Sequence, residues 1–139
     1  MTVSTAVSAQ GTIIQVGDGN SPLAFITINN CSSIGGLRGG TRGDIDVTDL
    51  TSVAKEFRAG LRDNGSVTLA VNYQADELGH IRLEELLDED DTETFKITDP
   101  EGNIFTFQGL VKKFDINWAV DSVEKSNVEI RISGAVVRT

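Results

Sequence analysis

The stretch Gly43–Tyr73, GDIDVTDLTSVAKEFRAGLRDNGSVTLAVNY, decides the fold class of this chain. It opens with an alternating strand, in which Ile45 and Val47 share one face and Asp44 and Asp46 share the other. A polar connector without helical periodicity follows. The turn residues Asp63-Asn64-Gly65 then lead into a second alternating strand, Ser66–Tyr73. Two strands with a period of two predict a β-rich protein.

Further strands are predicted on both sides of this stretch. The residues before it predict short strands at Gly11–Val16 and Leu23–Ile28. The residues after it predict strands at Thr94–Thr98, Ile104–Ala119 and Val123–Val137, of which the last two are long. Turn residues fill the gaps at Gly17–Asn20 and Asp99–Asn103. Gly109, in the middle of a strand too long to be flat, predicts a bulge or a bend.

One helix is predicted, beginning with Asp76 as its N-cap. Its apolar side chains recur with helical spacing, at Leu78, Ile81, Leu83, Leu86 and Leu87. The acids Asp88–Asp91 crowd a helix end that prefers cations, which predicts fraying there. The pattern therefore predicts a single domain over residues 1–139: a β-sandwich or barrel of about seven strands with one flanking helix.

Two segments lack any burial pattern. Residues 1–10 are small and polar and predict a flexible N-terminal arm. Residues 29–43, NNCSSIGGLRGGTRG, carry five glycines and predict a long mobile loop. Its candidate contacts with neighbouring subunits are Ile34, Leu37, Arg38 and Arg42, because the two arginines are its only charges in an acidic protein. The alternatives are a basic finger that reaches an acidic neighbour and a bare flexible loop. A phosphate-binding loop is excluded because a strand rather than a helix follows.

No catalytic, cofactor or metal site emerges from the sequence. His80 and Glu84 have the spacing of two metal ligands on a helix, but no third ligand accompanies them, so we interpret them as a solvated pair. Cys31 and His80 form the only nucleophile and base that can be written, and nothing in the sequence brings them together. The acids Asp88–Asp91 with Glu93 lack the spacing of a calcium loop and predict a solvated acidic loop. Trp118, with Phe114 and Ile116, predicts a core face first and an intersubunit anchor second. We therefore expect no enzymatic activity.

Composition excludes several classes of protein. The 139 residues include 21 acids and 12 bases, for a net charge of −9, which disfavours binding to nucleic acid or to an anionic membrane. The single cysteine excludes an intramolecular disulfide. The first residues, MTVSTAVSAQ, lack the basic start and apolar run of a signal peptide, so we expect a soluble protein made in a cytoplasm.

The central stretch resembles the tail tube proteins of long, non-contractile-tailed phages of the lambda type. The resemblance rests on Asp46-Val47-Thr48, Lys55-Glu56-Phe57, Gly60-Leu61, Asp63 and Gly65-Ser66-Val67. The motif positions are Asp46, Thr48, Glu56, Phe57, Gly60, Leu61 and Gly65. The order of the later elements matches the family as well, so the resemblance extends from about Gly11 to Val137. We expect the chain to lack the C-terminal immunoglobulin-like domain that some members carry.

The resemblance implies a structural virion protein of the phage tail, assembled in the bacterial host cytoplasm. Such proteins form six-fold rings that stack into a hollow tube around a tape measure protein, and the tube later conducts DNA. The implied partners are other copies of the chain, the tape measure protein, the tail tip or initiator complex and the tail terminator. DNA would pass without specific binding, and no membrane or cofactor is implied.

Asp44 and Asp46 are the candidates for the channel wall, because Ile45 and Val47 would face the core and an acidic wall repels phosphate. Two alternatives to a tube protein stay open. One is a related ring component, such as a tail terminator or a secretion-system tube protein. The other is an unrelated β-sandwich that binds a carbohydrate or peptide through Tyr73 or Trp118.

Overall fold

The computed structural model describes residues 10–20, 23–89 and 91–139, so the predicted arm lies outside the described residues except for Gln10. These residues form nine strands and one helix: β1 (Ile13–Gly17), β2 (Phe25–Thr27), β3 (Cys31–Gly35), β4 (Arg42–Asp46), β5 (Phe57–Arg62), β6 (Ser66–Asn72), α1 (Leu78–Asp88), β7 (Glu93–Thr98), β8 (Ile104–Asn117) and β9 (Lys125–Arg138). The predicted class, mainly β with one flanking helix, is confirmed.

Seven strands form one antiparallel sheet in the order β2-β1-β7-β8-β9-β6-β3. Alternate side chains of these strands point into the core, as the period of two predicted. On β6 the apolar face is buried, and on β7 and β8 the rings of Phe95 and Phe107 stack with 5.6 Å between their centroids. Packed aromatic and aliphatic side chains therefore hold the sheet together.

The sheet curls until its two edges come together. The N–H of Ile28 donates to the carbonyl of Ile14 on β1 (2.9 Å), and the carbonyl of Asn30 accepts the N–H of Asn72 on β6 (2.8 Å). Three strands separate β1 from β6 in the sheet, yet the short segment 28–30 binds both. This closure is the barrel-like arrangement that the sequence predicted.

Helix α1 covers one side of the sheet. Its N-cap is Glu77, whose carboxylate accepts the N–H of His80 (3.1 Å), so the prediction of Asp76 is wrong by one residue. Gly79 lies so close to the chain at β2 that a Cβ there would be 2.7 Å from the Thr27 carbonyl oxygen. The helix ends at Asp88, where the acidic run begins and where fraying was predicted. No helix in the described ranges is long and apolar enough to cross a membrane.

We predicted a loop over the whole segment 29–43, but the structure contains a strand within it. Residues Cys31–Gly35 form β3 and pair with β6 at the edge of the sheet. The glycines after β3 let the backbone of this segment lie against the backbone of residues 63–66. A Cβ on Gly36 would lie 2.4 Å from the Ser66 carbonyl oxygen, and one on Gly40 would lie 1.9 Å from that of Asp63. These close approaches between backbones leave no hydrophobic pattern in the sequence, and the mobility of the rest of the segment stays a prediction.

Two features of the long strands β8 and β9 also differ from prediction. Their pairing shifts between Thr106 and Gln108 and between Val111 and Lys113, whereas Gly109 itself stays paired. Gly109 is small because a Cβ there would lie 2.5 Å from the Ile130 side chain, so its role is packing rather than a bulge.

The predicted core position of Trp118 is wrong. β8 ends at Asn117, one residue before it, and the Trp118 side chain is 70 % exposed. Phe114 and Ile116, inside the strand, are partly buried as expected.

Candidate functional site

Strands β4 and β5 form a separate two-stranded sheet, which we call the hairpin (residues 42–62). Its strands pair with each other and, within the described residues, with no strand of the main sheet. β5 lies in the segment that we predicted to be a polar connector. Apolar and polar residues do not alternate in its sequence, FRAGLR, because neither face of the hairpin is buried in the subunit.

The hairpin exposes the apolar side chains that we expected in the core. Ile45 and Val47 are 54 % and 38 % exposed, so the expectation that their face packs inward is wrong. At the tip of the hairpin, Leu50 and Val53 are fully exposed, and on β5 Leu61 is 96 % exposed. Apolar side chains clustered on a projecting element mark a surface for interaction.

Hydrogen bonds between motif residues close the hairpin. The Thr48 hydroxyl oxygen accepts the N–H of Glu56 (2.7 Å), and the N–H of Val47 donates to the Glu56 carbonyl (3.0 Å). Asp46 accepts the N–H of Thr48 (2.9 Å). Hydrogen bonding from the Thr48 side chain, and then from its backbone, lowers the pKa of Asp46. The motif positions Asp46, Thr48 and Glu56 therefore shape the hairpin.

The base of the hairpin is fixed to β9 by the turn that follows β5. Asp63 accepts the N–H of Gly65 (2.8 Å) and pairs with the Arg131 guanidinium (2.7 Å), whose hydrogen bond lowers the pKa of Asp63. Asn64 is 8 % exposed and donates from its side-chain amide to the Gly134 carbonyl (2.7 Å). Gly65 has a φ of +76°, a conformation that favours glycine. The turn thus anchors an otherwise free element.

Three arginines line a pocket of about 460 Å³ beside this base, which we call the arginine pocket: Arg38, Arg42 and Arg62. Arg62 donates to the Arg38 carbonyl (3.3 Å) and to the Asn64 side chain (3.0 Å). Arg38 donates to the Val136 carbonyl (3.4 Å), and its guanidinium lies 5.8 Å from the centre of the Phe105 ring. None of the three pairs with a carboxylate of the described residues. The pocket is a local concentration of positive charge in an acidic protein.

The structure separates the predicted contact residues into two groups. Ile34 and Leu37 pack against the core of their own subunit, whereas Arg38 and Arg42 are exposed at the arginine pocket. Contact of all four with a neighbouring subunit stays a prediction. Asp44 and Asp46 lie on the exposed hairpin, and their position on a channel wall stays a prediction as well.

The remaining motif positions lie along β5 and its turn. Phe57 begins β5 and is half-exposed. Gly60 packs against the backbone of Gly43 across the hairpin, where a Cβ would lie 3.1 Å from the carbonyl oxygen. Leu61 and Gly65 flank the base described above.

His80 is fully buried, so its interpretation as part of a solvated pair is wrong. Its Nδ1 accepts the N–H of Gln74 (3.2 Å), its Nε2 lies 2.9 Å from the Asn29 carbonyl oxygen, and its ring stacks on Tyr73. The Tyr73 hydroxyl donates to Glu84, which raises the pKa of Tyr73 to about 12. Burial likewise raises the pKa of the Cys31 thiol. No group of three metal-ligating side chains occurs in the described part of the chain.

Sequence reasoning missed the burial of Asn64 and the exposure of Trp118. Asn64 looked like an ordinary turn residue, and only its burial reveals its role as an anchor. The turn between β8 and β9 (residues 118–124) exposes Trp118 and Val120 at the end of the sheet. The predicted strands left residues 120–122 between them, but they placed Trp118 inside the first strand.

Comparison with known proteins points to one family. The family model described as "Phage tail tube, TTP, lambda-like" matches residues 5–104, which is more than half of the chain. No curated protein sequence matches the chain significantly.

Solved structures share the fold at low sequence identity. The tail of an empty gene transfer agent particle, refined with C6 symmetry, superposes with a TM-score of 0.76 at 18 % identity, covering 96 % of this chain and 99 % of that one. The SPP1 tail tube gives 0.75 at 9 % identity, with 96 % and 79 % covered. A sheath/tube terminator of the PVC extracellular contractile injection system gives 0.74 at 11 % identity, with 99 % of each chain covered.

Proposed function

The chain belongs to the lambda-like phage tail tube family, and from this premise we propose that it forms six-fold rings that stack into the tube. It is a structural protein of the virion tail, as the resemblance implied. We propose a purely structural function without catalysis.

The exposed hairpin is the single observation that supports assembly most strongly. It carries six exposed apolar side chains, Ile45, Val47, Leu50, Val53, Phe57 and Leu61. Burying apolar surface stabilises an interface by roughly 25 cal/mol per Å². A soluble monomer gains nothing from exposing these residues, whereas a subunit in a tube buries them against its neighbours. Six-fold symmetry is supported by the C6 symmetry of the gene transfer agent tail, which shares this fold.

A substitution at the hairpin tip tests assembly. Leu50→Asp with Val53→Asp places two charges on side chains that touch no core residue, so the subunit should fold normally. We expect stacked rings from the unchanged protein by negative-stain microscopy and only monomers from the variant by analytical ultracentrifugation. Leu78→Asp, at an exposed apolar position on α1, is the matched control and should assemble. Normal tubes from the tip variant would contradict the role of the hairpin.

We further propose that Asp44 and Asp46 line the channel through which DNA passes. The net charge of −9 supports an acidic wall, which repels phosphate and lets the duplex slide without specific binding. Asp44→Lys combined with Asp46→Asn, which keeps an oxygen that accepts the N–H of Thr48, should leave tail assembly intact and slow DNA ejection. The same double change at Asp88 and Glu89, exposed at the end of α1, is the control and should eject normally. Normal ejection by the hairpin variant would place these aspartates elsewhere.

The proposed partners are the tape measure protein inside the tube, the initiator complex at its tip and the terminator at its end. Support comes from neighbours described as a baseplate of the anti-feeding prophage and as tube terminators, which have the same fold. Assembly inside the bacterial host cytoplasm belongs to the same proposal. The family match favours a tube protein over both alternatives, a related ring component such as a terminator and an unrelated ligand-binding β-sandwich.

A further inference from the structure

The arginine pocket and the β8–β9 turn lie at opposite ends of the same strands. On β6, Ser66 follows the base of the hairpin and pairs with Arg131, whereas Asn72 pairs with Lys125, next to the turn. The six residue steps between Ser66 and Asn72 span about 20 Å. The two surfaces therefore cannot meet within one subunit, and each is available to another copy.

The turn has the chemistry that an arginine-lined pocket recognises. Its aromatic and aliphatic residues, Trp118 and Val120, are 70 % and 92 % exposed, and its two charged residues, Asp121 and Glu124, are both acids. Guanidinium groups bind carboxylates through charge-assisted hydrogen bonds and stack on the face of tryptophan.

The pocket in turn has unsatisfied capacity for such a partner. Its three guanidinium groups pair with no carboxylate of the described residues, and its volume of about 460 Å³ is open to solvent. Carboxylates from outside would supply the counter-charge that the subunit itself does not. Two copies that each carry a net charge of −9 repel overall, so a local match of opposite charges helps to select this contact.

We propose that the arginine pocket of one subunit holds the β8–β9 turn of a second copy in the adjacent ring. The contact rests on the proposed stacking of rings and names the surfaces that make it. Because the pocket and the turn are different surfaces at opposite ends, the contact is heterologous and repeats without closing, as a growing tube requires. Each subunit inserts its turn into the pocket of one neighbour, and its own pocket holds the turn of another neighbour.

Cross-linking tests the contact directly. In a Cys31→Ser background, Val120→Cys places a thiol on the turn and Ala135→Cys places one on the wall of the pocket. Both positions are exposed, so the variant should fold, which circular dichroism checks. Assembled protein treated with a short bismaleimide should give a denaturing-gel ladder that continues past six subunits, because links between rings run along the tube. The matched controls are the two single-cysteine variants, which should stop at a dimer.

The lengths of the ladders separate the possible outcomes. A ladder that stops at six subunits would place the contact within one ring and overturn the proposal, as would tubes that do not cross-link beyond the controls. In both cases tubes seen by microscopy would leave the proposed function intact. A protein that forms no tubes under any condition would overturn the proposed function and this contact together.

Trp118 gives an independent readout, because it is the only tryptophan in the chain. Its fluorescence should shift to shorter wavelength on assembly, and iodide quenching should fall several-fold. Trp118→Ala should raise the protein concentration needed for assembly by roughly tenfold or more, the range for truncation of a buried tryptophan anchor. Leu78→Ala, at an exposed position on α1, is the control and should change it little. Tubes in which Trp118 stays fully quenchable would refute the contact.

Discussion

Replacing Gly40 by alanine tests whether the glycine-rich segment is packed or mobile. An added Cβ would lie 1.9 Å from the Asp63 carbonyl oxygen and 2.6 Å from the Gly65 nitrogen. Ordinary van der Waals contact begins at 3.4 Å, so the two backbones must separate by about 1.5 Å (3.4 − 1.9). The clash is between backbone atoms, and no flexible side chain can move aside to relieve it.

The expected cost follows from the bonds that this movement strains. The turn that must shift carries the Asp63 ion pair with Arg131 and the buried amide of Asn64. Overpacking of this kind costs about 1–3 kcal/mol. For a chain of this length the melting temperature should fall by roughly 4–12 °C, judged from the size scaling of unfolding entropy.

Gly43→Ala is the matched control in the same segment. A Cβ on Gly43 meets nothing within 4 Å. Alanine there restricts the unfolded chain and should be neutral or stabilising by about 0.4–1 kcal/mol. Thermal unfolding at a concentration where the protein is monomeric, followed by circular dichroism, compares the two. Equal melting temperatures for both variants would show that Gly40 is free of the Asp63 backbone and would refute the packed segment.

Three further outcomes are expected. Asn64→Ala should lower the free energy of unfolding by about 0.5–1.5 kcal/mol, because the truncation removes the hydrogen bond that this buried side chain donates to the Gly134 carbonyl, whereas Asn72→Ala at an exposed position should change it little in urea titrations. Tyr73, the only tyrosine, should titrate near pH 12 by ultraviolet absorbance, and Glu84→Gln should return the pKa of Tyr73 toward about 10. Because folding raises this pKa, the hydrogen bond stabilises the fold fully below pH 10, and this stabilisation is lost as the pH rises to about 12. Folding lowers the pKa of Asp63, so its contribution to the free energy of unfolding is complete above the ordinary aspartate pKa of about 3.9 and is lost as the pH falls below it. The free energy of unfolding measured against pH should therefore fall less steeply in acid for Asp63→Asn than for the unchanged protein. Identical slopes would exclude a role for the ion pair with Arg131.

Elements with one buried face were predictable from the sequence. The strand Ser66–Asn72 and the turn Asp99–Asn103 lie where periodicity and turn chemistry placed them, because the core imposes its period on the side chains that face it. The long strands after that turn were also located within two residues at each end.

Elements without a buried face were not predictable. β5 lies in a hairpin with both faces exposed, so it has no hydrophobic pattern, and β3 has only Cys31 and Ile34 packed against the core, too few for an alternating pattern. The alternation of Ile45 and Val47 was predicted correctly, but their face is exposed rather than packed on the subunit's own core. His80 was misjudged because its burial depends on backbone partners at Gln74 and Asn29, which no local spacing reveals.

Because the hairpin is attached to the main sheet only at its base, it can open locally as a unit. Its amide groups can exchange with solvent through opening of two strands, without unfolding of the main sheet. Under the proposed assembly, substitutions in the hairpin alter contacts with a neighbouring subunit, whereas substitutions in the core alter the folding of the subunit itself. A tube built this way can change the fit between its rings over evolutionary time and keep the same folded subunit.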